Sequence, residues 1–136
     1  MTRHNLFPML AVAVVLLAMG SSFAQTTNVV VDVPFAFTLG NQSVPAGHYE
    51  LQSIRGEGIL ALRRGNQHMT LVSTNSIQSA AASRGRLIFQ RYGDRYFLRQ
   101  IWMSGSHSGR EVPTTKLEKE LASNRTPASV AVLASK

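Results

Sequence analysis

The feature that most constrains the fold is an alternation of apolar and polar residues over positions 28–39. Apolar side chains recur at every second position, at Val29, Val31, Val33, Phe35, Phe37 and Leu39. A period of two puts them all on one face of an extended strand, which is typical of a sheet with one buried face. Pro34 cannot donate a hydrogen bond to a neighbouring strand, so we expect the strand to lie at an edge or to break there.

Shorter alternating segments follow, separated by turn residues. Strands are predicted at about 48–55, 59–64 and 67–74, with a turn over 40–47 and a loop over 75–84. Gly65-Asn66 has the composition of a two-residue hairpin loop. The side chains expected to face inward in these strands are Tyr49, Leu51, Leu60, Leu62, Met69 and Leu71.

The strongest predicted hairpin has strands at 86–92 and 95–103, joined by Gly93-Asp94. A two-residue loop sets Phe89 opposite Leu98, and the same register sets Leu87 opposite Gln100. The core face is then expected to include Trp102. The other face is expected to carry basic and apolar side chains together, namely Arg86, Ile88, Tyr92, Arg95, Phe97, Arg99 and Ile101.

One helix is predicted, over about 114–123. Thr115 and Glu118 have the spacing of a capping box, in which the threonine hydroxyl and the glutamate each satisfy a backbone N–H of the first turn. Pro127 prevents the helix from continuing, and the apolar run after it predicts a final strand at about 129–135. We therefore expect a mainly β fold, with six to seven antiparallel strands in a small barrel or sandwich and one short C-terminal helix.

The N-terminus predicts export. Residues 1–24 contain a short basic start, an apolar run at 9–20 and small residues at Ser22 and Ala24, which is the pattern of a cleavable signal peptide. Residues 25–136 would then form a single β-rich domain. The chain contains no cysteine, which excludes disulfides and thiolate metal ligands and favours a bacterial exported protein. The expected location is periplasmic or extracellular.

Three segments carry a resemblance to other proteins. They are 33–40 with 45–49 (VPFAFTLG and PAGHY), 89–98 (FQRYGDRYFL), and 109–113 leading into 118–122. In these segments the chain resembles a family of small exported bacterial β-rich proteins. The resemblance implies one exported domain, and it implies no activity, ligand or catalytic residue.

The basic and aromatic face of the hairpin is the candidate binding surface. The formal net charge is +7, and +6 once Arg3 is removed with the signal peptide. Guanidinium groups pair with phosphate or carboxylate, and aromatic rings stack on sugar or base rings. The candidate residues are Arg86, Tyr92, Arg95, Phe97 and Arg99. The alternative interpretation is that these arginines are ordinary strand residues whose stems cover apolar surface, and that the C-terminal helix covers Phe97 and Ile101.

No catalytic constellation is recognised in the sequence. His48, His68 and His107 lack the spacing of a metal site, and no metal or other cofactor is expected. The segment 105–109 (GSHSG) has histidine where a nucleophile elbow needs serine. An enzyme or metal site outside these patterns is a third, minor hypothesis.

Two functional hypotheses therefore lead. The first is an exported, non-enzymatic β-domain that binds an anionic envelope polymer or glycan through the hairpin face, nucleic acid being a less expected partner. The alternative is a structural or assembly protein that docks on another envelope protein and takes no small ligand. Substitution of Arg95 and Arg99 by alanine is expected to abolish salt-sensitive polymer binding only under the first hypothesis.

Overall fold

The computed structural model describes residues 28–54, 58–67, 70–80 and 83–135. The predicted signal peptide and Met69 lie outside these ranges. The strands of the described residues are β1 (Asn28–Val33), β2 (Phe37–Leu39), β3 (Gln42–Val44), β4 (Gly47–Ile54), β5 (Ile59–Arg63), β6 (Thr70–Ser73), β7 (Asn75–Gln78), β8 (Arg86–Tyr92), β9 (Arg95–Trp102), β10 (Ser108–Glu111) and β11 (Ala128–Leu133). Between β10 and β11 lies the helix α1 (Lys116–Asn124).

The strands form two sheets. Sheet A has the order β1-β4-β5-β6, and sheet B has the order β11-β8-β9-β10-β7, with the β2–β3 hairpin joined to β9 through β2. Buried side chains from both sheets meet in one core, which includes Val31, Leu51 and Leu60 of sheet A and Leu87, Phe89 and Ile101 of sheet B. The predicted mainly β fold with one C-terminal helix is confirmed, and its architecture is a two-sheet sandwich.

The alternating segment 28–39 crosses from one sheet to the other. It supplies β1 to sheet A and β2 to sheet B, and Pro34 lies in the break between them. Phe35, also in the break, stacks on Tyr96 with ring centroids 3.8 Å apart. The alternating apolar side chains of β1 and β2 face the core on both sides of the break. A proline without an N–H is tolerated at this corner, where no ladder hydrogen bond is made.

The β8–β9 hairpin contains an irregularity that changes the predicted faces. Phe89 pairs with Leu98 as expected, but a register shift between Ile88 and Phe89 sets Leu87 opposite Ile101. A bulge of this kind moves every later residue of β9 to the other face. The predicted outward position of Ile101 and inward position of Trp102 are therefore wrong. Ile101 is in the core, and Trp102 shares the outer face with its partner Arg86.

Several polar segments are strands that the sequence pattern missed. β7 lies in the predicted loop over 75–84, and β10 begins in the Ser/Gly-rich segment after Trp102. The two strands pair with each other. β3 lies within the segment 40–47 that was predicted as a turn, and it pairs with β2 in a two-residue hairpin around Gly40-Asn41. Strand number is therefore higher than the six or seven expected.

The connection between β5 and β6 also differs from the prediction. A two-residue loop at Gly65-Asn66 would set Leu60 opposite Leu71, which is one residue away from the observed partner. In the observed register Leu60 faces Val72, and Val72 packs on the core. Leu71 consequently points outward and is 52% exposed, which contradicts its predicted inward position.

Helix α1 packs on the outer face of sheet B. Thr115 is its N-cap, and the Thr115 side chain accepts a hydrogen bond from the Glu118 backbone N–H. The helix ends before Pro127, and β11 returns to pair with β8. Among the described residues, no helix has the length and apolar character required to cross a membrane.

Candidate functional site

Helix α1 covers the middle of the predicted hairpin face. Tyr92 is 4% exposed and Phe97 is 2% exposed, and their rings meet edge to face with centroids 5.7 Å apart. The Tyr92 hydroxyl donates to the buried Glu118 carboxylate of α1 over 3.4 Å. These rings are therefore not available to stack on a ligand, whereas Ile101, which was also expected under the helix, lies in the core.

Arg99 holds the helix to the sheet. Its guanidinium forms an ion pair with Glu118. It also donates to the Val112 carbonyl and to Thr114 Oγ1, each over 2.8 Å. Arg99 is therefore a structural clasp between β9 and the segment that enters α1, because its donors are used within the protein.

The other two predicted site residues lie apart from this clasp. Arg86 is at the start of β8, opposite Trp102, and its Nε is buried without a hydrogen-bond partner among the described residues. Arg95 is exposed beside the β8–β9 turn, opposite Tyr92. The five predicted residues consequently do not form one binding surface.

A groove of about 580 Å³ lies on the outer face of sheet B, beside the clasp. We call it the groove throughout. Its lining combines side-chain amides, hydroxyls, a carboxylate and two prolines, from Asn75, Gln90, Tyr92, Arg99, Gln100, Glu111, Val112, Pro113, Thr114 and Pro127.

Three of the groove's polar side chains form a row across the sheet. Glu111 of β10 is in register with Asn75 of β7 on one side and with Gln100 of β9 on the other. Residues in register on neighbouring strands are about 5 Å apart and turn the same way. The row therefore presents an amide, a carboxylate and a second amide at regular spacing, at right angles to the strands.

The position of Gln100 in this row depends on Trp102 and Gly109. The Trp102 indole Nε1 donates to Gln100 Oε1 over 3.1 Å, which orients the amide. Gly109 faces Trp102 on the next strand, and a Cβ at Gly109 would lie 2.7 Å from the indole Cε3. A glycine at this position lets the indole lie directly against the β10 backbone.

The groove is not basic. Arg99 is neutralised by its ion pair with Glu118. The other ion pair found among the described residues is His48–Asp32, so Glu111 is in neither pair. Burial raises the pKa of the Tyr92 hydroxyl, and the Glu118 carboxylate beside it raises that pKa further. Tyr92 therefore stays protonated and available as a neutral hydroxyl.

Most of the groove could not be found from the sequence, for two reasons. Asn75 and Glu111 lie on strands whose pairing joins distant segments, and neither strand has an apolar alternation. Gln100 was expected on the core face, and the bulge in β9 places it on the outer face instead. The predicted register placed the polar Gln100 opposite Leu87 on the core face. This mismatch was the one signal in the sequence that the register needed correction.

Two features of the described residues bear on catalytic chemistry. No group of three or more His, Cys, Asp or Glu in the described ranges is positioned to hold a metal ion. Asp32 accepts from Ser135 Oγ over 3.1 Å and lies 2.6 Å from His48 Nδ1. Serine and histidine both contact the aspartate, whereas nucleophile activation requires the serine to contact the histidine.

No protein-family model, curated protein or solved structure matches this chain.

Proposed function

We propose that the protein is an exported, non-enzymatic binding module that holds a glycan chain in the groove. The observation that carries the proposal is the row of Asn75, Glu111 and Gln100 across three adjacent strands. Export is supported by the signal-peptide pattern of residues 1–24.

The side chains of the row suit hydroxyl groups. A side-chain amide offers donors and an acceptor on one planar group, and a carboxylate offers two acceptor oxygens. Each hydroxyl of a sugar ring is both a donor and an acceptor, so neighbouring hydroxyls match such groups in pairs. Pro113 and Pro127 add apolar surface against which the C–H faces of a sugar ring can pack.

The shape of the groove also favours a chain-like ligand. Its lining residues come from β7, β8, β9 and β10 and from the segments on both sides of α1, so it runs across the strands of sheet B. A polypeptide that binds by strand addition pairs with the backbone at the edge of a sheet, whereas the groove presents side chains on the face of one. A glycan chain can lie across these side chains and extend beyond both ends.

The test compares two variants of residues 25–136 that alter the same two strands. The groove variant is Asn75→Ala/Glu111→Ala, and the control is Ser76→Ala/Arg110→Ala, the adjacent pair in register on the opposite face. Each protein is run by affinity electrophoresis in gels containing neutral β-glucans, chitin oligosaccharides or alginate. Melting curves confirm that each protein is folded.

At least one glycan is expected to retard the unaltered domain and the control. The groove variant is expected to bind that glycan about tenfold more weakly, the effect of losing one or two hydrogen bonds. If no glycan in the panel retards the unaltered domain, or if both variants lose binding equally, the proposed function is wrong.

A further inference from the structure

Two exposed arginines lie at the β8–β9 turn on the outer side of sheet B, and we call them the basic tip. Arg95 directly follows the turn and is in register with Tyr92, so it shares the outer face. Arg125 follows the last residue of α1, and its guanidinium lies against Gly93 at the position that a Cβ would occupy. The end of the helix and the end of the hairpin therefore bring two positive charges to the turn.

These charges are not neutralised within the described part of the chain. The ion pairs found there use Arg99 and His48, and none uses an arginine of the basic tip. Asp94 in the turn is the acidic residue that directly precedes Arg95. A guanidinium group binds a carboxylate or a phosphate through two parallel hydrogen bonds, so the basic tip has the chemistry of an anion-binding surface.

The basic tip is close in sequence to residues that line the groove, both in the hairpin and after the helix. Tyr92 lines the groove and directly precedes Gly93 of the turn. Pro127 lines the groove two residues after Arg125. A chain-like ligand that leaves the groove at this side therefore passes the basic tip.

We infer that the ligand of the groove is an acidic glycan, and that the basic tip binds its anionic substituents. The inference depends on the proposed function, and it divides recognition between two surfaces. The groove contacts hydroxyl groups, since Glu111 would repel an anion there. Arg95 and Arg125 contact the carboxylate or phosphate substituents that extend from the glycan chain.

The experiment measures dissociation constants for the unaltered domain and three variants. The tip variant is Arg95→Gln/Arg125→Gln. The charge-matched control is Arg84→Gln/Arg110→Gln, which removes two positive charges away from the turn: Arg84 precedes β8 at the strand end opposite the turn, and Arg110 lies on β10. The third is the groove variant Asn75→Ala/Glu111→Ala. The probes are alginate, which is carboxylated, a phosphorylated glucan, a neutral glucan and inorganic polyphosphate.

The unaltered domain and the charge-matched control are expected to bind an acidic glycan about tenfold more tightly than the neutral glucan, as two exposed ion pairs allow. The tip variant is expected to lose this preference while keeping its affinity for the neutral glucan. Alginate and the phosphorylated glucan show which substituent is preferred. Added salt is expected to reduce the preference and leave neutral-glucan binding unchanged, because salt screens exposed charges.

Two results would overturn the inference. One is an acidic preference that the tip variant retains in full or that the control loses equally. The other is polyphosphate binding as tight as that of the acidic glycans, which would mean that charge alone is recognised. Failure of the proposed function is distinct, since it would appear as a groove variant that binds every glycan as the unaltered domain does.

Discussion

Arg99 and Glu118 illustrate how burial determines what a charged residue does in this protein. The Arg99 side chain is 12% exposed and that of Glu118 is 3% exposed, so each would be costly to bury alone. Glu118 is the third residue after the Thr115 cap, which places its carboxylate under the first turn of α1 and over Arg99. One ion pair, Arg99–Glu118, therefore links the first turn of α1 to β9.

Removing Arg99 alone is expected to be strongly destabilising. Arg99→Met leaves Glu118 buried without its partner and should lower the free energy of unfolding by about 3–5 kcal/mol. The double variant Arg99→Met/Glu118→Leu should recover most of that loss, because both buried charges are removed. Urea unfolding of the two variants measures the difference, and equal losses in both would contradict the clasp.

Gly109 is a second residue whose surroundings set its identity. A Cβ there would lie 2.7 Å from the Trp102 ring and 2.9 Å from the Ile101 carbonyl oxygen. Gly109→Ala should therefore displace the indole and lower the free energy of unfolding by about 1–3 kcal/mol. Tryptophan fluorescence should shift in the same variant, and an unchanged spectrum with unchanged stability would show that the close approach is not required.

At the scale of elements, the β8–β9 hairpin combines a local and a non-local signal. Its turn follows from Gly93-Asp94, and Gly93 has the positive φ of +64° that such a turn uses. Its register follows from the turn only as far as Phe89, beyond which the bulge takes over. The hairpin therefore matches the prediction next to the turn. Beyond the bulge, the residues of β9 lie on the face opposite to the predicted one.

The turn itself can be tested by substitution. Gly93→Val should lower the melting temperature by several degrees, because a β-branched residue is strained at positive φ and its Cβ would displace Arg125. Gly65→Val is the matched control, since Gly65 also has positive φ but a Cβ added there would meet no atom within 4 Å. A loss at Gly93 no larger than the loss at Gly65 would argue against the Arg125 contact.

At the scale of the whole molecule, the C-terminal residues join the two sheets. The Ser135 backbone N–H donates to the Val30 carbonyl of β1 over 2.8 Å, and Arg84 donates to the Ala134 carbonyl. Ser135 Oγ and His48 both contact the Asp32 carboxylate. The edge of sheet A formed by β1 is thereby connected to the end of β11 in sheet B.

This connection should depend on pH through Asp32. The hydrogen bonds from His48, and then from Ser135, lower the pKa of Asp32 below its ordinary value of 3.8. A carboxyl group with a lowered pKa stabilises the folded state above its unfolded pKa, and this stabilisation is lost as the pH falls through the folded pKa. The unaltered domain should therefore lose a small increment of melting temperature below about pH 4 that Asp32→Asn does not lose. Parallel acid melting curves for the two proteins would contradict this role.

Features that depend on neighbouring residues could be predicted from the sequence. The alternation over 28–39, the break at Pro34, the Gly93-Asp94 turn and the Thr115 cap are all present, because each follows from the local geometry of a few consecutive residues. The mainly β fold with a C-terminal helix follows from the sum of these signals. The candidate site did not, since only Tyr92 and Arg99 of the predicted residues line the groove.

The remaining features were decided by contacts between distant segments. The bulge in β9 interrupts the regular ladder and allows Ile101 to be buried. β7 is a strand only because β10 pairs with it. Helix α1 contacts Tyr92 and Arg99 through Glu118, and this contact places the clasp beside the groove. The sequence by itself determined the alternating strands, the Gly93-Asp94 turn and the helix cap, because each follows from the local geometry of neighbouring residues. The tertiary structure decided which face each side chain occupies, because burial depends on partners far apart in the chain.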